Sequence, residues 1–261
     1  MKLLNIVKKL EGLSRQDARA ACLKLFAPFG IVEEHYATGV NLVMRKPGTS
    51  KHQIVLAAHY DTFPGCPGAN DNASATAVLY GVAQALWTKK LTHGLTLCIF
   101  DEEETDCIGS RAYVKKHGVS DVKAMIDLEL VGNGQVVGLW PALKETPLLR
   151  TFKTVLKRRK QPYETGGELP MFWADYLPFR EAGADSICMS LIPKKEVEQI
   201  RPFVTQNRYL VGLKVALGLM KIPPFFKTYH TPHDTADKLS EKSLQRATGI
   251  IVDVAQALQK R

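Results

Sequence analysis

Three apolar runs in this chain each end in groups that could bind a cation or move a proton. IVLAA (54–58) is followed by His59, Tyr60 and Asp61, and LTLCIF (95–100) by Asp101, Glu102, Glu103 and Glu104. VKAMIDLELV (122–131) carries Asp127 and Glu129. Two further segments add to the set: GANDNASATA, with Asp71, and TYHTPHDTADKLS, with His230, His233 and Asp234. Zinc takes imidazole nitrogen and carboxylate oxygen at about 2.0–2.2 Å. Two such ions about 3.5–4 Å apart need a bridging group and further ligands for each. His59, Asp71, one Glu of 102–104, Asp127 or Glu129, and His230 or His233 would suffice.

Each group also has a plainer reading. His35, His52, His93 and His117 stand alone and read as packed or surface residues. His59 differs because Asp61 follows at a distance suited to accept its second ring N–H, fixing the tautomer; Asp234 is placed to support a histidine similarly. Asp71 and Asn72 open a helical stretch, where capping is the ordinary role. Three adjacent glutamates usually mean a solvated loop. After a buried strand, however, their mutual repulsion is costly unless a cation neutralises it.

Positioning such groups requires a scaffold, and the chain reads as alternating strands and helices. Strands are expected near 39–44, 53–58, 95–100, 122–131 and 185–190. Helices are expected over 15–27, with Ser14 as cap, and over 72–87, 111–116, 147–159, 174–182, 208–220 and 240–260. This order predicts an α/β fold, a three-layer α/β/α sandwich around a mixed, mostly parallel sheet, formed as one domain over 1–261. Ligands of such sheets bind beyond the carboxyl ends of the strands, where His59, the glutamate run and Glu129 fall. Loops around 132–146, 161–173 and 191–207 are expected to set specificity.

The 261 residues carry 35 Lys and Arg against 26 Asp and Glu, a net charge of +9. The run Lys157, Arg158, Arg159 and Lys160 lacks aromatic interleaving and reads as a solvated helix face rather than a nucleic-acid site. Five cysteines without a CxxC pair argue against a disulfide framework. The start, MKLLNIVKKLEGL, mimics a secretory signal, but Lys8 and Lys9 interrupt its short apolar stretch and no small-residue cleavage site follows. With no apolar run long enough to span a membrane, the expected setting is cytoplasmic, with no membrane partner.

Taken together, AHYDT (58–62), GANDNASA (68–75), DEEETDCIGS (101–110), IDLELVG (126–132) and HTPHDT (230–235) resemble, in order, the motifs of the M28 zinc peptidase family. The resemblance implies a co-catalytic site for two Zn2+, with Co2+ or Mn2+ as alternatives, acting on peptides with a free N-terminus. It implies metal ligands at His59, Asp71 (bridging), Glu104, Glu129 and His230, Glu103 as general base, Asp61 as partner of His59, and Tyr229 beside the oxyanion. Asp175, in ADYLPFREAG, would stand behind the ligands. The family usually has Asp where this chain has Glu129, and Asn where it has Asp127, so Asp127 is the alternative ligand. A glutaminyl-cyclase-like acyltransferase with one zinc, or a carboxypeptidase or dipeptidase on the same fold, is the rival reading.

Overall fold

Alternation along the central strands sends side chains to two opposite cores. The computed structural model describes residues 1–142, 144–167, 173–206 and 208–260. Its strands are β1 (Val32–His35), β2 (Val40–Lys46), β3 (Gln53–His59), β4 (Gly94–Phe100), β5 (Val122–Leu128), β6 (Val136–Trp140), β7 (Tyr163–Thr165) and β8 (Ser186–Ile192). The helices are α1 (Leu3–Leu10), α2 (Arg15–Phe26), α3 (Ser74–Leu86), α4 (Ile108–His117), α5 (Pro147–Arg158), α6 (Tyr176–Glu181), α7 (Val197–Thr205), α8 (Arg208–Ala216), α9 (Pro224–Lys227) and α10 (Glu241–Leu258). From β3, Ile54, Leu56 and Ala58 join the core under α1, α2, α3, α5 and α10. Val55 and Ala57 join the opposite core, with Tyr113 of α4, Phe179 of α6 and Ile200 of α7. A strand buried on both faces explains why IVLAA and LTLCIF are apolar throughout rather than alternating.

The eight strands form one sheet in the order β1-β2-β4-β3-β5-β8-β6-β7. The centre, β4-β3-β5-β8, is parallel, while β1, β2 and β6 pair antiparallel with their inner neighbours. The expected three-layer α/β architecture with a mixed sheet is what the chain adopts. Crucially for the site, β4, β3 and β5 are adjacent, and their carboxyl ends lie on one edge.

The expected loops contain regular structure. The 132–146 stretch holds β6, whose VVGLW run is fully buried. The 161–173 stretch holds β7, and 191–207 holds α7. These elements are short and sit beside Gly and Pro, so turn signals mask their periodicity. Residues 143, 168–172 and 207 of the three stretches lie outside the described residues. The 157–160 basic run falls at the end of α5, where cations complement the helix dipole, and Arg158 and Arg159 pair with Asp253.

An ion-pair network fixes the sheet edge. Burial pushes Glu34 of β1 up, but hydrogen bonds from His117, Arg45 and Lys116 outweigh it and hold the carboxyl at about 2. A depressed folded pKa stabilises above the unfolded value of 4.5, and that gain is lost as pH falls towards 2. Glu34→Gln should therefore cost about 1 kcal/mol at pH 7, the upper end for a screened pair. In thermal melts the deficit should shrink steadily below pH 4.5.

Candidate metal centre

Since β3 lies between β4 and β5, its terminal His59 faces groups arriving from both sides. The His59 ring is fully buried, and its Nδ1 lies 2.9 Å from the backbone carbonyl of Asp61. A carbonyl only accepts, so Nδ1 carries the proton and Nε2 is the ring nitrogen that faces inward. Nε2 lies 3.3 Å from Asp71 Oδ1, 3.6 Å from Glu129 Oε2 and 3.8 Å from Glu103 Oε2. Across the site, His230 Nε2 lies 2.8 Å from Glu104 Oε2 and 3.4 Å from Asp71 Oδ2.

Donor atoms therefore gather in overlapping sets. His59, Asp71 and Glu129 form one, Asp71, Glu104 and His230 a second, and His59, Glu103 and Glu104 a third; within each, the atoms lie within 4.8 Å of one another. Asp71 belongs to the first two and turns one carboxylate oxygen to each histidine. Asp127 and His233 enter none of the three sets. Asp127, fully buried, instead accepts from the Tyr176 N–H at 2.9 Å.

The supporting contacts correct two expectations. The carboxylate of Asp61 lies farther from His59 Nδ1, at 3.5 Å, than its own carbonyl does. Its oxygens accept instead from the N–H groups of Glu103 and Glu104, both at 3.1 Å. Asp61 thus fixes the glutamate corner, with its main chain orienting His59. Asp234 supports no histidine; it accepts from the N–H groups of Asn70 and Asp71 and so holds the turn that presents Asp71. Burial, only partly offset by those bonds, raises its pKa to about 6.

Other supports escape sequence reading because their partners are remote in the chain. Asn72 donates to Glu129 Oε1 at 2.9 Å and to the Leu128 carbonyl at 2.8 Å, holding Glu129 towards His59. Arg15 grips Asp101 through Nε and Nη2 at 2.6 and 2.7 Å. Glu102 turns outward to Arg15 and Thr38. A Cβ at Gly109 would collide with the Asp101 carbonyl and the Asn41 amide, which is the steric reason for Gly at that position. The His230 ring is stacked between Tyr229, at a centroid distance of 3.7 Å, and Phe63, at 4.3 Å. Asp175 is fully buried behind the site.

Electrostatics test whether these residues fit divalent cations. Burial, reinforced by the neighbouring carboxylates, pushes Glu103 and Glu129 well above the ordinary carboxylate range and raises Glu104. Burial acts on Asp71 as well, but the neighbouring rings of His230 and His59 outweigh it and bring it to about 2. Burial lowers His59 and His230, but the facing carboxylates outweigh it and raise both, His230 to about 9. With the imidazoles neutral, as metal ligands must be, the four carboxylates in ionised form would leave four uncompensated charges, at several kcal/mol per ion. Two divalent cations balance that charge. His59 Nε2, Asp71 Oδ2, Glu104 Oε1 and His230 Nε2 are buried and lack a hydrogen-bond partner in the protein, as donors aimed at cations would. The residues fit.

If Asp61 acts by holding the Glu103–Glu104 corner, Asp61→Asn should place an amide group against one of the two N–H donors. Activity or metal affinity should fall about 10–100-fold, as for other supports of ligands. Metal titration alongside steady-state rates checks this, and unchanged values for both would deny Asp61 that role.

A doubly covered sheet with carboxylate and imidazole donors converging beyond its strand ends is a framework suited to a metal centre. Residues 41–255 match peptidase family M28, and the chain belongs to that family. It is 26% identical over 265 residues to aminopeptidase YwaD of Bacillus subtilis (strain 168), covering 94% of this chain and 49% of that protein. In structure it is similar to BSAP, a zinc aminopeptidase from Bacillus subtilis, with TM-score 0.64, 22% identity, and coverage of 83% and 49%. It is likewise similar to a glutaminyl cyclase from an Acidobacteriales bacterium, with TM-score 0.72, 21% identity, and coverage of 100% and 94%. The chain thus spans about half the length of these aminopeptidases and nearly all of the cyclase.

Proposed function

We propose that this chain is an aminopeptidase that hydrolyses N-terminal peptide bonds at a two-zinc site. His59, Asp71 and Glu129 would hold one ion, and Asp71, Glu104 and His230 the other, with Co2+ or Mn2+ as competent substitutes. The observation that carries this reading is the division of Asp71, one oxygen towards each histidine. When bound, the cations supply Lewis acidity, acidifying water and polarising the scissile carbonyl.

The chain's own residues do the rest. Glu103 is buried beside the ligands, with a carboxyl held above its ordinary range. It takes a proton from the attacking water and passes it to the leaving amine. Burial, with the charges of Asp71 and the surrounding glutamates, keeps the Tyr229 phenol protonated, so it can donate to the developing oxyanion. Asn72 and Asp61 hold Glu129 and the glutamate corner in place, and Arg15 anchors the adjacent Asp101.

The second reading, glutaminyl cyclisation, draws on the chain's near-complete coverage of a cyclase fold. The His59–Asp71–Glu129 set favours hydrolysis, since its donors would hold a second cation that a one-zinc cyclase does not use. A substrate panel separates the two. Free aminoacyl-nitroanilides should be cleaved at least ~100-fold faster than their N-acetylated forms, as a site built for a polar group rejects its blocked analogue. Formation of pyroglutamate from a Gln-initiated peptide, without release of an amino acid, would instead establish the cyclase.

A further inference from the structure

We infer that the segment from α8 to α9 is a docking surface for an anionic lipid bilayer. Eleven large apolar side chains are exposed among the described residues, and six of them lie at 209–222. Leu213, Leu217, Leu219 and Ile222 are 48–74% exposed. Such a concentration is unusual on a surface that faces only water. The segment is nevertheless anchored: Val211 and Phe225 are buried, and the Phe226 ring lies 6.2 Å from that of Phe203. Its leucines are presented outward from a rooted base.

Composition identifies the partner. Every residue at 211–227 is apolar, glycine, proline or lysine, and the lysines are Lys214, Lys221 and Lys227. No Asp or Glu occurs between Glu198 and Asp234. Arg201 is occupied by Glu164 and Glu198, whereas among the described residues no carboxylate pairs with Lys214, Lys221 or Lys227. Aliphatic side chains flanked by cations and free of acids match the interface of an anionic leaflet, where the chains enter the acyl boundary and the lysines meet headgroups. A second copy suits the surface less well, since a two-fold contact would bring the same lysines together. A protein partner would call for a rim of varied hydrogen-bonding groups, and this stretch offers only lysine.

The contact would be with one leaflet. No described helix is long and apolar enough to cross a membrane, and a surface role departs from the sequence expectation of no membrane partner. The segment continues directly into Tyr229 and His230, which would bring the candidate site close to the lipid.

Flotation of the full chain with vesicles tests this. Phosphatidylcholine vesicles containing about 30 mol% phosphatidylglycerol should carry the protein at low salt, with at least ~10-fold weaker binding to phosphatidylcholine alone or at about 0.5 M salt. The double variant Leu217→Glu/Leu219→Glu should lose ~10-fold or more of the anionic binding while keeping wild-type Tm and nitroanilide turnover. Should that variant fail to fold, Lys221→Glu/Lys227→Glu replaces it, with the same expected loss. Wild-type protein that stays with the lipid-free fraction, or a folded variant that floats as wild type does, would overturn the proposal. So would a lipid-free dimer in sedimentation that the leucine variant dissociates, because a second copy would then own the surface.

Discussion

Glu103→Gln should leave the cations bound and lower kcat by about 10²–10⁴-fold, the usual worth of a positioned general base. Gln preserves the size of the side chain and removes only its capacity to take a proton. Glu103 stands apart from the glutamate beside it. Glu104 lies 2.8 Å from His230 Nε2, a ligand-like approach, whereas Glu103 comes no nearer to His59 Nε2 than 3.8 Å. Metal analysis and kcat on one preparation therefore separate two roles. Full metal with a collapsed kcat identifies a base; reduced metal identifies a ligand. A kcat within threefold of wild type would remove Glu103 from the chemistry.

That distinction shows how far the sequence alone reaches. Strand-end groups are legible because an apolar run followed by charge marks both a buried strand and its functional edge, as with LTLCIF and the acids after it. What is not legible is which backbone each carboxylate serves. Asp61 and Glu103 are 42 residues apart, and Asp234 and Asn70 are 164 apart. Spacing along the chain offers His59 to Asp61 and a histidine to Asp234, because those are the nearest partners. The fold instead gives both acids to backbone N–H groups of the turns that carry the ligands, where a buried N–H needs a partner. Asn72 is hidden for the same reason: an Asn at a helix start reads as a cap, yet its amide reaches Glu129, 57 residues away. The choice between Asp127 and Glu129 likewise needs coordinates, because residues two apart on a strand share a face. The contact of Tyr176 with Asp127, and those of His59 and Asn72 with Glu129, separate them.

The shared acid carries the other large effect. Asp71→Asn keeps one oxygen and replaces the other with an amide that cannot bind a cation. One of the two sets then loses both an oxygen and a charge. Metal content should fall from two ions per chain to at most one, with kcat/KM down by at least ~10³, as when a charge-stabilising group is lost. Stability adds an independent readout. Cations bound at a thousandfold excess over Kd contribute about 4 kcal/mol, on the order of 10 °C for a domain of this size. Chelation should remove that from the wild type and restore repulsion among Asp71, Glu103, Glu104 and Glu129. The variant starts with one charge fewer and one ion fewer, so its Tm should fall by less. If chelation lowers both melting temperatures equally while the variant retains two ions, the carboxylate does not join the two sets. The site would then have to be rebuilt around the group of His59, Glu103 and Glu104.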